Sequence, residues 1–102
     1  MCKSKYSSTN VESTLKHFET ILRRQLKLSK FILRRQRSSN SNYTVITPEG
    51  DRFWVYWYNF PNIVVMPVAG DRPPCGYRTI HESTLKAHIK HCISLMRNDG
   101  IL

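Results

Sequence analysis

Apolar positions first recur along this chain at helical spacing. Val11, Leu15, Phe18, Leu22 and Leu26 fall on one stripe, which predicts an amphipathic helix over 9–28. Thr9 and Glu12 stand at capping-box spacing at its start, where a hydroxyl and a carboxylate satisfy free amides reciprocally. The period then changes. Asn42–Thr47, Arg52–Phe60 and Asn62–Val68 are aromatic and β-branched runs of strand length. The turn residues Pro48–Asp51 and Asn59–Asn62 separate them, as in an antiparallel meander. Lys30–Gln36 fits either a continued helix, with Lys30 and Arg34 on its basic side, or an outer strand. The polar loop Arg37–Asn42 and the arginines favour the strand. Residues 30–68 are therefore expected to form the sheet and 69–78, rich in Gly and Pro, a loop. A last helix is expected over 79–97. Thr79 or Ser83 would cap it, Leu85, Ile89, Cys92 and Met96 would line its apolar stripe, and Gly100 would stop it. The fold class read from this pattern is α+β: a two-layer single domain of helix, three- to four-stranded meander and helix, with residues 1–8 flexible.

The strand Arg52–Phe60 sharpens the picture, because both of its faces are large. Phe53, Val55 and Trp57 alternate with Trp54, Tyr56 and Tyr58, and Ile63 and Val65 alternate with Val64 and Met66. Helices on one side cover one face only. The Phe53/Val55/Trp57 face is expected beneath the helices. The Tyr/Trp face is then left for a partner, a ligand or a second copy, and a homodimer is the expected use of it.

Charge adds a partner class. The chain is formally +9, and residues 1–37 carry ten Lys/Arg against Glu12 and Glu19. A polyanion facing the N-terminal third is the implied partner. Lys16, Arg23 and Lys27 form a basic stripe beside the apolar one. Nucleic-acid-binding sheets combine exposed aromatics for base stacking with surrounding cations for phosphates. The candidate contact residues are thus Arg23, Lys27, Arg34, Arg35, Arg37, Arg52, Trp54, Tyr56 and Tyr58. RNA and DNA both fit this chemistry.

Other chemistries find less support. His81, His88 and Cys92 share a side of the last helix, with Cys75 upstream, but their spacing matches no standard zinc module. Cys92 also belongs to the apolar stripe. No metal and no cofactor is expected. Glycine-rich phosphate cradles are lacking. Three cysteines without a CxxC pair suit a reducing compartment, no apolar run approaches a membrane span, and a cytoplasmic location follows as the expectation. The leading reading is a non-catalytic nucleic-acid-binding protein of a mobile element or regulatory system. The alternatives are a nuclease, and a protein-interaction or ligand-binding module that uses the aromatic face.

The nuclease alternative comes from a resemblance. Tyr43 and Val45, then Gly50, Asp51 and Arg52, then Val55 and Tyr56, then Ile63–Val65, and a following segment with Arg72 and Tyr77 resemble the sheet of RelE-type ribosome-dependent mRNA endonucleases. The resemblance spans about a third of the chain. It implies that Arg52, Arg72 and Tyr77 stabilise phosphate charge or assist proton transfer, with His81 nearby. The long C-terminal helix and Pro73–Pro74 depart from that pattern.

Overall fold

The computed structural model of the chain describes residues 8–36, 42–59, 61–68 and 75–101, with the side chains of 8–12, 58, 59 and 75 outside that description. Six elements follow in order: α1 (Ser8–Lys27), β1 (Ile32–Arg35), β2 (Asn42–Ile46), β3 (Arg52–Asn59), β4 (Asn62–Pro67) and α2 (Cys75–Asn98). The strands form one antiparallel sheet in the order β1-β2-β3-β4. This is the expected α+β arrangement, with the meander four-stranded and Lys30–Gln36 contributing the outer strand.

The end of α1 shows why that segment leaves the helix. Phe31 N–H donates to Leu26 O at 3.0 Å and Lys30 N–H to Lys27 O at 3.0 Å, with Lys30 at φ 61°. These are the two bonds of a Schellman turn, closed by a lysine where glycine is usual. The turn tucks Phe31 into the core and launches β1. The same motif ends α2 in its ordinary form. Ile101 N–H bonds Met96 O at 2.9 Å, Gly100 N–H bonds Arg97 O at 3.1 Å, and Gly100 lies at φ 78°.

β2 and β3 are joined through Thr47–Asp51. Gly50 N–H donates to Thr47 O, Thr47 N–H to Asp51 O, and Asp51 N–H to Thr47 Oγ1. Gly50 sits at φ 95°, as a type I turn closed by a left-handed residue requires. Between β3 and β4 the register slips at Trp57–Asn59.

Both helices lie on one side of the sheet. The core joins Phe18, Leu22 and Leu26 of α1 and Leu85, Ile89, Cys92 and Met96 of α2 to Leu33, Tyr43, Val45, Phe53 and Val55. Trp57 completes it from the same face, with its ring 4.8 Å from Phe18 and 6.2 Å from Tyr43. Burial pushes the Tyr43 hydroxyl up to about 12. Phe53, Val55 and Trp57 are thus the covered set, as their alternation implied.

Two helix starts differ from the sequence reading. α1 already includes Ser8 and Thr9, so Ser8 belongs to the helix and Thr9 lies within it, while residues 1–7 lie outside the described residues. α2 begins at Cys75, one turn before Thr79, so Thr79 and Ser83 are interior helical residues and the segment 75–78 is not loop. Proline is tolerated in a first helical turn, and Pro73–Pro74 precede the helix directly in sequence. The added turn is exposed at Tyr77, so no apolar periodicity marked it. Among the described residues no helix is long and apolar enough to cross a membrane.

Candidate nucleic-acid interface

The face of the sheet away from the helices has no covering element among the described residues. Strand alternation places Ile32, Arg34, Thr44, Ile46, Arg52, Trp54, Tyr56, Val64 and Met66 there. The register aligns them into rows that cross the sheet. One row is Arg34–Thr44–Trp54–Met66, and its neighbours are Ile32–Ile46–Arg52 and Asn42–Tyr56–Val64. Trp54 is 37% exposed, Met66 44% and Ile32 52%. The Trp54 and Tyr56 rings are 6.2 Å apart and tilted by 52°. Gln36 Nε2 reaches Thr44 Oγ1 at 3.4 Å, which braces the β1–β2 pair beside the aromatic rows. The platform therefore combines two adjacent π-faces with cations at its margins, Arg34 at the β1 edge and Arg52 at the start of β3.

On the other side of β1 a groove of about 400 Å³ runs between α1 and the strand. Lys16, Arg23, Arg24, Lys27 and Arg35 line it, with Glu19 as its one carboxylate among the described residues. A second cleft of about 350 Å³ carries the cationic track past Lys30 to Ile32. Arg34 and Arg35 point to opposite faces of the same short strand, so β1 is the hinge line between the groove and the aromatic face.

Glu19 organises that groove. Arg23 Nη2 donates to Glu19 Oε2 at 2.7 Å, and Arg35 Nη2 bonds Glu19 Oε1. Arg23 Nη1 also donates to the Leu33 carbonyl at 2.8 Å. Burial alone pushes the Glu19 carboxyl up. The hydrogen bonds and charges of Arg35 and Arg23 outweigh that and leave it lowered. Arg35 is correspondingly raised by its hydrogen bond and charge contact with Glu19. Two of the nine candidate contact residues are therefore tied to a structural carboxylate. Lys27, Arg34 and Arg52 have no ion pair among the described residues. Trp54 and Tyr56 share the open face. Arg37 lies outside the described residues, as does the side chain of Tyr58.

His81, His88 and Cys92 have separate surroundings. His81 Nε2 is 2.9 Å from Glu49 Oε1 and 3.8 Å from Asp51 Oδ2, although neither contact has hydrogen-bond geometry. Its ring packs edge-on to Phe31. His88 Nε2 meets Ser29 Oγ at 2.8 Å. Burial lowers His88, and the neighbouring His91 lowers it further. Cys92 is wholly buried, and burial pushes its thiol up to about 12. No group of three His, Cys, Asp or Glu placed to hold a metal occurs among the described residues.

Of the residues implied by the nuclease resemblance, Tyr77 and His81 are neighbours on α2, with ring centroids 6.4 Å apart. They lie beside the β2–β3 turn on the helix side. Arg52 projects from the opposite face of the sheet, and Arg72 is outside the described residues. Close to His81, Asp51 is fully buried and neither of its oxygens has a hydrogen-bond partner among the described residues. Nε and Nη2 of Arg78 are also out of solvent and without partners there.

Sequence reasoning passed over Arg24, Arg78, the burial of Asp51 and the role of Glu19. The i,i+4 spacing of Glu19 and Arg23 was the one available signal. The bond from Arg35 depends on tertiary packing of β1 against α1. In comparisons with protein families, curated proteins and solved structures, no family model, no curated protein and no solved structure matches this chain.

Proposed function

We propose that this protein binds single-stranded nucleic acid without cleaving it. Bases would stack on Trp54 and Tyr56 while phosphates follow the cations of β1 and the α1 groove. The observation that carries the reading is the row Arg34–Thr44–Trp54–Met66 on an uncovered face, bordered along β1 by the basic groove. Aromatic stacking accepts any base, and ringed cations supply the salt-dependent affinity. A duplex keeps its base faces stacked on one another, so an open aromatic platform favours single strands.

Fluorescence anisotropy with labelled single-stranded RNA, single-stranded DNA and duplex DNA at two salt concentrations tests this. Single strands should bind more tightly, and affinity should fall steeply with salt. The pair of changes Arg34→Glu and Lys27→Glu should weaken binding to all sequences and flatten the salt dependence. No binding at low salt refutes the proposal. A protein-interaction reading draws on Ile32, Val64 and Met66, which expose apolar surface on the same face. It gains support if Tyr56→Glu breaks a concentration-dependent dimer that has no nucleic-acid affinity.

A further inference from the structure

The two edges of the sheet are treated oppositely. β1 is short and carries Arg34 and Arg35, and Arg23 occupies its Leu33 carbonyl. Cations and occupied backbone groups protect an edge from pairing with another strand. β4 has six residues, Asn62–Pro67, with no charge among them, and no strand pairs with its outer edge among the described residues.

The register identifies the free groups. Val68 N–H donates to Arg52 O at 3.0 Å, next to the Phe53–Pro67 pair. Hydrogen-bonded rungs recur at every second residue of an antiparallel pair. Met66 and Val64 therefore direct their backbone groups at β3, while Ile63 and Val65 direct theirs outward. Pro67 shares the outward position, where its missing N–H costs the sheet no bond.

Beside this edge α2 overhangs an unfilled cleft. Ile63, Ile89 and Ile93, with Pro61 and Ala87, form the apolar lining of a space of about 530 Å³, and Lys86 and Lys90 line it too. An adjoining space of about 380 Å³ extends it along α2 to Arg97. Lys86 is paired with Glu82 at 3.0 Å. Lys90 and Arg97 have no ion pair among the described residues. Ile63 and Val65 face the helices yet are only half-buried, as inward residues of an edge strand with a vacant neighbouring position are.

We propose that an extended, acidic segment of another protein adds to β4 as a fifth strand, with apolar side chains in the cleft under α2 and flanking carboxylates on Lys90 and Arg97. Main-chain bonds to Ile63 and Val65 supply affinity, and the cleft and its cations supply selectivity. Charge decides between occupants. A second copy paired through β4 would bring two sets of Lys86, Lys90 and Arg97 together on a chain of charge +9, whereas an acidic strand neutralises them.

The test titrates the ¹⁵N-labelled protein with a fluorescein-labelled heptapeptide that has three central β-branched residues and glutamates at both ends. The control is its lysine-ended counterpart. Saturable binding of the acidic peptide, with new hydrogen-exchange protection at Ile63 and Val65 and about tenfold or weaker binding of the basic peptide, supports the proposal. Lys90→Glu with Arg97→Glu should reverse the preference between peptides. Val65→Pro, which removes an outward N–H and no bond to β3, should abolish binding of both. If Val65→Pro does not fold, the charge-reversed protein still decides the question. Failure of the acidic peptide to bind, or equal binding of the two peptides, overturns it. So does protection of Ile63 and Val65 that grows with protein concentration alone, which would mean a second copy covers the edge.

Discussion

Glu19→Gln separates the structural and functional uses of the basic groove. Glu19 is 13% exposed in its side chain and receives Arg23 at 2.7 Å and also Arg35. Both guanidinium groups are well exposed, so each pair is worth the modest amount typical of solvent-facing ion pairs, roughly 0.2–1 kcal/mol. The glutamine keeps shape and one acceptor and removes the charge. The loss is expected at about 1 kcal/mol, which for a chain of this length lowers Tm by about 4–8 °C. The pH dependence has a definite sign. The folded-state pKa of Glu19 lies below its ordinary 4.5. Its contribution is therefore present above that value and is lost as pH falls through the lower, folded one. Urea denaturation of the two proteins at pH 7 and in acid should show a gap that closes in acid. Nucleic-acid affinity of the variant should rise, because Arg23 and Arg35 are released and a negative charge is gone. Equal stability at pH 7, or a gap that persists unchanged in acid, would refute the assigned network.

Three other outcomes are expected. Lys30→Gly removes a left-handed side-chain residue from the Schellman turn at φ 61° and should stabilise the protein by about 1 kcal/mol in urea titration, whereas no gain would deny strain there. Trp54→Ala should leave stability nearly unchanged and weaken single-strand binding by about 1–3 kcal/mol, with quenching of tryptophan fluorescence by the strand lost in the variant. Cys92, its thiol raised by burial to about 12, should resist alkylation at pH 8 until denaturant is added, as read by peptide mass spectrometry; labelling of the native protein at Cys92 would contradict its burial.

The helices, the meander and the covered face were legible because each rests on local periodicity. Phe18, Leu22 and Leu26 repeat at helical spacing, and Phe53, Val55 and Trp57 at strand spacing. The segment Lys30–Gln36 was harder, since its short apolar run satisfies both periods. The decision came from Lys30 taking a left-handed conformation that no propensity favours. The start of α2 was misjudged at Thr79 because Cys75–Arg78 has no apolar stripe to announce a helix.

Apart from β1, the sequence by itself determined the element types, their order and the existence of two large sheet faces, since side-chain alternation and helical repeat are properties of a single segment. Tertiary structure alone decided the pairing of cations and the state of the edges. Glu19 holds Arg35 because β1 docks beside α1, which leaves Arg34 on the open face. Arg23 occupies a carbonyl of one edge, while no strand pairs with the opposite edge at Ile63 and Val65 among the described residues. These are relations between residues distant in the chain, and no periodicity within one segment encodes them.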